Sequence, residues 1–178
     1  RSGGLDNYRK FLNCLNYLVV DEKLIPDDFL NITFYADPYL YDWKNESGEK
    51  IGIISYKSLF LANEIEVNEK LNLQLRRCGL SPKTLFISTL KDHIIQKKLI
   101  EIFKKEDIKL IITTTSFSSS QIKNNELIEN STNIFTSLKI PILQLLSSNR
   151  SRKKWLNSSI GMNSSDLLMQ IIIPEFDG

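Results

Sequence analysis

Two carboxylates close to the last residue, Glu175 and Asp177, are the side chains best suited to chemistry. They follow the apolar segment Gln170–Ile173, and a strand there would place both at the carboxyl edge of a sheet. A carboxylate can accept a proton or lend an oxygen to a hydrated divalent cation. The alternative is a polar turn in which Gly178 takes a positive φ. The residues alone leave both interpretations open.

Five further polar residues follow predicted strands: Lys57, Ser88, Lys91, Thr115 and Ser116. The two lysines could pair with carboxylates of a ligand, or they could be exposed and solvated. The three hydroxyls could bond the amide or carboxylate arms of a ligand, or they could cap the helices that follow. We predict these five as substrate-binding candidates.

Several kinds of site are excluded by what the sequence lacks. There is no Gly-x-x-x-x-Gly-Lys-Ser/Thr motif for ATP. The turn at 56–63 contains no glycine, which argues against a dinucleotide cradle. His93 is the only histidine, so a zinc site built by the protein is not expected, and no nucleophile elbow accompanies it. We predict no metal ligands and no cofactor bound directly by this chain.

Strands and helices alternate from residue 51 onward. Short apolar, β-branched runs predict parallel strands at Ile51–Tyr56, Thr84–Ser88, Leu110–Thr114 and Ile140–Leu146, with a possible fifth at Gln170–Ile173. Apolar residues at helical spacing predict three longer helices and one short one. These are Glu64–Cys78 with Val67, Leu71 and Leu75 inward, a helix with Ile95, Leu99, Ile102 and Phe103 inward, Glu126–Leu138, and Arg152–Ser158.

This alternation implies right-handed crossovers and an α/β fold. We predict a three-layer, open, mostly parallel sheet of flavodoxin-like type over 51–178. Residues 1–50 are predicted as a helical, aromatic-rich extension packed against that domain. Trp155 is expected to fill the layer between helix and sheet. Ligands of such sheets bind at the carboxyl ends of the strands.

Composition fits a globular protein, with 42% hydrophobic residues and a formal charge of +2 over 178 residues. Lysine-rich segments such as Arg150–Lys154 are interpreted as solvated faces, so no nucleic-acid partner is expected. No apolar run is long enough to span a membrane. Cys14 and Cys78 favour reduced thiols and a cytoplasmic location. The chain lacks an initiator Met, and we expect it to be a piece of a longer polypeptide.

Five short segments, in order, resemble one protein family. They are Ile51–Ser58, Ser88–Asp92, Thr113–Phe117, the Ile-Pro-Ile-Leu-Gln run that begins at Ile140, and the Ile-Pro-Glu-Phe-Asp-Gly close at Ile173–Gly178. Trp155, the Gly161–Leu167 segment and the Gly3–Asn7 opening are also similar. Together they resemble the large subunits of aerobic cobaltochelatase and magnesium chelatase, and the cobalt branch is the better match. Lys57 departs from the pattern, because an arginine is expected there.

The resemblance implies a role in metal insertion. Large subunits of this family bind a tetrapyrrole, which is hydrogenobyrinic acid a,c-diamide in the cobalt branch and protoporphyrin IX in the magnesium branch. Separate AAA+-type subunits hydrolyse ATP, and the complex uses ATP, Mg²⁺ and Co²⁺. The family's Pro-Glu-x-Asp-Gly motif falls on Glu175 and Asp177, which supports a catalytic role for both. A magnesium chelatase and a non-catalytic module for interaction or ligand sensing remain the alternatives.

Overall fold

The computed structural model describes residues 3–21, 31–115, 122–123, 126–127, 137–148 and 150–172. The strands are β1 Tyr39–Tyr41, β2 Lys50–Tyr56, β3 Ser81–Ile87, β4 Leu110–Thr113, β5 Ile122–Lys123, β6 Glu126–Leu127 and β7 Ile142–Gln144. The α-helices are α1 Leu5–Asn16, α2 Lys57–Leu61, α3 Glu66–Arg77, α4 His93–Lys105, α5 Arg152–Leu156 and α6 Ser164–Leu167. Two π-helical turns, Tyr17–Asp21 and Leu168–Ile172, continue α1 and α6.

The main sheet has the strand order β1-β3-β2-β4-β7. Strands β3, β2, β4 and β7 are parallel, and β1 runs antiparallel along the β3 edge. The separate pair β5 and β6 forms a small antiparallel ladder. With helices on both faces, this is the predicted three-layer α/β fold.

The alternation of side chains along β2 divides the core between two faces. Ile54 points to the face covered by α4, where Leu99 and Phe103 are fully buried, as the apolar stripe predicted. Ile51 and Ile53 point to the other face, which α3 covers with Leu71 and Leu75. Gly52 keeps the α4 side flat, because a Cβ there would lie 3.0 Å from the Phe103 ring.

Aromatic packing fastens the residues before β2 to the sheet. The ring of Phe60, in α2, lies 4.5 Å from the ring of Tyr39, 5.0 Å from that of Tyr35 and 5.5 Å from that of Phe86, between centroids. Burial, followed by a hydrogen bond to Glu69, raises the pKa of Tyr41 to about 12. The sheet also includes β1, a strand before residue 51 that the sequence did not predict.

Three sequence-based predictions are wrong in detail. The possible fifth strand at Gln170–Ile173 is instead a π-helical turn as far as Ile172, because the segment continues α6 rather than pairing with β7. Glu126–Leu127, where we predicted the start of a helix, form strand β6 instead, because they pair with β5. Trp155 is 47% exposed and does not fill the core, because α5 is only five residues long.

The inward face of α3 also differs from the prediction. Val67 is exposed, whereas Asn68 and Asn72 are buried against the sheet. Hydrogen bonds to sheet hydroxyls, described below, offset the cost of burying these amides.

None of the described helices is long and apolar enough to cross a membrane.

Candidate functional site

The chain changes direction across the sheet between β2 and β4. From β2 it passes to β3 on one side, and from β3 it crosses back to β4 on the other side. In open α/β sheets, ligands bind outside the carboxyl ends of the strands at such a switch point. The candidate site is therefore the carboxyl edge of β3, β2, β4 and β7.

A network of side-chain hydrogen bonds lies at this switch point. The hydroxyl of Ser55, on β2, lies 2.7 Å from that of Thr114, which directly follows β4. Asn68 of α3 donates its side-chain amide to Ser55 Oγ at 2.5 Å. One helix and two strands are thus joined by three polar side chains, and Ser55 and Asn68 are buried. The network fixes the spacing of the two strand ends.

Ser88 lies at the end of β3 and meets a carboxylate from the extension. Its hydroxyl bonds one oxygen of Asp37, and its backbone N–H donates to the other at 3.3 Å. Lys98 of α4 donates to the backbone carbonyl of Asp37 at 3.1 Å. A carboxylate that precedes β1 therefore reaches the carboxyl edge, because β1 is antiparallel to β3.

Lys57 immediately follows β2, beside the end of β3. The register pairs Tyr56 with Ile87, so Lys57 and Ser88 occupy neighbouring positions at the same edge. The Lys57 ammonium donates to the backbone carbonyl of Tyr35 at 2.7 Å. That bond leaves further N–H donors, and the side chain is half-buried.

Thr115 and Lys91 complete the described candidates. Thr115 follows β4 but is buried, and its hydroxyl lies 2.7 Å from that of Thr113. Lys91 lies in the turn after β3, where its backbone N–H donates to Thr89 Oγ1 at 3.1 Å. The chain brings Lys57, Ser88 and Thr115 to one edge of the sheet. Ser116, Glu175 and Asp177 lie outside the described residues.

Sequence reasoning missed two polar residues of this edge, Asp37 and Asn68. The Asp-Pro step at Asp37 preceded an aromatic segment with little periodicity, so nothing indicated that a strand began there. Asn68 and Asn72 share an i, i+4 spacing that could have marked a polar stripe facing the sheet. Asn72 accepts a hydrogen bond from the Thr84 hydroxyl at 2.8 Å.

The described residues contain no evident set of ligands for a bound metal ion. Within the described ranges, no three His, Cys, Asp or Glu side chains are grouped closely enough to hold an ion. The described part of the edge instead offers hydroxyls, lysines and the Asp37 carboxylate. These groups suit hydrogen bonding to polar arms of a ligand.

The opposite, amino edge carries ion pairs that hold the extension in place. Arg76 of α3 contacts Glu46 and Asp42, both at 2.7 Å. Burial raises the pKa of the Asp42 carboxyl, but the hydrogen bond and charge of Arg76 outweigh it and leave that pKa lowered. These contacts bind structural elements together.

Comparison with known proteins identifies the family. The CobN/magnesium chelatase family model matches residues 1–178. An uncharacterised protein of Methanocaldococcus jannaschii is 30% identical over 161 residues, which are 85% of this chain and 12% of that protein. The aerobic cobaltochelatase subunit CobN of Pseudomonas aeruginosa is 25% identical over 188 residues, covering 100% of this chain and 15% of the subunit.

A solved structure supports the fold. The catalytic subunit of cobaltochelatase from Mycobacterium tuberculosis matches 99% of this chain with a TM-score of 0.74 and 21% identity. The chain covers 15% of that structure, so it spans about an eighth to a seventh of the length of these relatives. Because the family model matches every residue of the chain, this protein belongs to the CobN/magnesium chelatase family.

Proposed function

We propose that this chain is a segment of the tetrapyrrole-binding large subunit of a cobaltochelatase. That subunit would take part in inserting Co²⁺ into hydrogenobyrinic acid a,c-diamide, with ATP hydrolysed by separate AAA+-type subunits. The observation that carries the proposal is the family match over residues 1–178. Similarity to CobN subunits from Pseudomonas aeruginosa and a Sinorhizobium species favours cobalt over magnesium.

The carboxyl edge is the surface that would face the macrocycle. Corrinoid and porphyrin rings carry carboxylate or amide arms, which need hydrogen-bond donors and positive charge. Lys57 supplies both, and the Ser88 hydroxyl at the neighbouring strand end, whose O–H is donated to Asp37, can accept a hydrogen bond from an amide arm. Lys57 offers a single ammonium rather than the two-pronged guanidinium of an arginine, so it would bind one oxygen at a time.

Metal insertion also requires that protons leave the ring nitrogens. Glu175 and Asp177 are our candidates for accepting those protons or for handing over the hydrated cation. They stand in the last six residues of the chain, after the π-helical turn that ends at Ile172.

Titration of the full-length subunit with each macrocycle tests the proposal. We expect the visible absorbance to change on addition of hydrogenobyrinic acid a,c-diamide, and to change much less with protoporphyrin IX. Tight binding of protoporphyrin alone would favour a magnesium chelatase. If neither ring bound, a non-catalytic interaction or sensing module would replace the chelatase proposal.

A further inference from the structure

A cleft of about 980 Å³ opens in the segment that follows β7. It is lined by Arg150, Ser151, Lys153, Lys154, Asn157 and Ser158. It is an open groove on the surface, with most of its lining side chains exposed, and it is wide enough for more than a single ion. Because β7 ends at Gln144, the cleft lies in the connection that leaves the carboxyl edge of the sheet.

Positive charge is concentrated here, and the nearest acidic residue along the sequence, Asp166, is buried and bonded to Ser148. The sequence from 130 to 165 holds five basic residues and no Asp or Glu, although the whole chain carries only +2. In the described part of the chain, no carboxylate forms an ion pair with Arg150, Lys153 or Lys154. Neighbouring cations repel each other, so an anion bound between them would be stabilised. The segment was expected to be a solvated face, and its concave shape was not anticipated.

Local hydrogen bonds hold Arg150 in place at the cleft. The Arg150 guanidinium donates to Ser158 Oγ at 3.1 Å, which uses one of its five N–H groups. The backbone N–H of Arg150 donates to Ser148 Oγ at 3.2 Å, and that hydroxyl bonds the buried carboxylate of Asp166. Arg150 is therefore positioned before a ligand arrives, which lowers the entropy cost of its binding, whereas the Lys153 and Lys154 side chains are exposed.

We propose that this basic cleft binds carboxylate side arms of the macrocycle. This inference rests on the proposed function. It adds the cleft, as a second surface that contacts the macrocycle, to the strand ends that carry Lys57 and Ser88. A guanidinium can bind a carboxylate through two parallel hydrogen bonds, and two adjacent ammonium groups can hold a second arm. The Asn157 amide adds a neutral donor and acceptor, suited to an amidated arm.

The test measures macrocycle affinity in the full-length subunit by visible absorbance. We expect the K153A/K154A double variant to bind hydrogenobyrinic acid a,c-diamide about tenfold more weakly, because charge-assisted hydrogen bonds are lost. Its affinity should also depend less steeply on salt. R150A should weaken binding similarly, and R150K should restore part of the loss.

The matched control is K104A/K105A, which removes two charges from the last turn of α4. Because α4 runs antiparallel to the parallel strands, that turn lies at the opposite edge of the sheet, and we expect unchanged affinity. Thermal unfolding midpoints within about 2 °C of wild type would show that the variants are folded. A macrocycle whose carboxylates are esterified should bind weakly, and equally to wild type and K153A/K154A.

The outcomes separate this inference from the proposed function. Equal affinity of wild type and K153A/K154A for the macrocycle would overturn the inference and leave the chelatase proposal standing. Failure of the wild-type subunit to bind any macrocycle would overturn both. Citrate serves as a free polycarboxylate: if it stabilises wild type and not K153A/K154A while macrocycle affinity is unchanged, the cleft binds other polycarboxylates and the macrocycle inference is wrong.

Discussion

Asn68 of α3 and Ser55 of β2 are joined by a 2.5 Å hydrogen bond in a site where both residues are buried. The Ser55 hydroxyl also lies 2.7 Å from Thr114 Oγ1, directly after the neighbouring strand β4. One buried hydroxyl thus links a helix to two strands at the switch point of the sheet. The same polar contact stabilises the fold and fixes the shape of the candidate site.

Replacing Asn68 by Ala should lower the free energy of unfolding by about 1–3 kcal/mol, because Ser55 loses a buried partner. Urea titration followed by circular dichroism measures the change. K70A on the same helix is the control. It removes only the exposed ion pair with Glu66, and we expect a much smaller loss than for N68A. Equal losses for N68A and K70A would show that the buried bond contributes nothing measurable.

Replacing Gly52 by Ala should destabilise the fold by about 1–3 kcal/mol through overpacking. The added Cβ would lie 3.0 Å from the Phe103 ring and 3.2 Å from Ile108 Cγ2. In an F103L background the added carbon has more room, so we expect the cost of G52A to fall. A double-mutant cycle from urea titrations gives this coupling. A cost that is the same in both backgrounds would rule out the ring contact as its cause.

Gly48 and Gly79 provide a matched pair in one turn region. Both have positive φ, +113° and +77°, but only at Gly48 would a Cβ collide, at 2.1 Å from the Gly79 carbonyl oxygen. G79A should therefore cost only the backbone penalty of about 1–2 kcal/mol, and G48A should cost distinctly more. Thermal unfolding ranks the two variants, and the reverse order would contradict the geometry.

Stability at acidic pH should depend on the pair formed by Lys50 and Glu106. The 2.8 Å hydrogen bond from Lys50 lowers the pKa of the Glu106 carboxyl from its ordinary value of 4.5. A depressed folded-state pKa stabilises the protein above pH 4.5, and this contribution is lost as pH falls through the folded value. K50M should therefore flatten the pH dependence of the unfolding free energy below pH 4.5.

The control for this pair is K109M, which removes an exposed partner of Asp107. Exposed pairs contribute little, so we expect the pH dependence of K109M to match wild type. Guanidinium unfolding at a series of acidic pH values compares the three proteins. Identical slopes for K50M and wild type would exclude the Lys50 pair as a source of acid sensitivity.

Replacing Glu175 by Gln or Asp177 by Asn in the full-length subunit should reduce metal insertion by about a hundredfold or more, if either acts as a proton acceptor. Insertion is measured by the absorbance of the metallated ring, with ATP and the partner subunits present. D107N is the control, since Asp107 lies after α4 at the amino edge of the sheet. Full activity of E175Q and D177N would favour the polar-turn interpretation of this segment.

Much of the α/β core was predictable because strand and helix periodicities differ. The β-branched run Ile51–Tyr56 and the stripe of Ile95, Leu99 and Phe103 needed only local patterns, and both are confirmed as buried elements. The family resemblance also came from short linear motifs, and the match over residues 1–178 confirms it. The absence of a Gly-x-x-x-x-Gly-Lys-Ser/Thr motif for ATP is also visible in the sequence alone.

Tertiary contacts decided what local patterns could not. Asn68 and Asn72 face the sheet because Ser55 and Thr84 offer partners there, which no helical apolar pattern reveals. Residues Tyr39–Tyr41 form a strand because the β3 edge supplies its hydrogen bonds, and the antiparallel direction brings Asp37 to Ser88. Such pairings join residues 12 to 51 positions apart, so they exist only after the chain has folded. The sequence thus determined the family and the layers, and the fold decided which polar side chains meet at the edge.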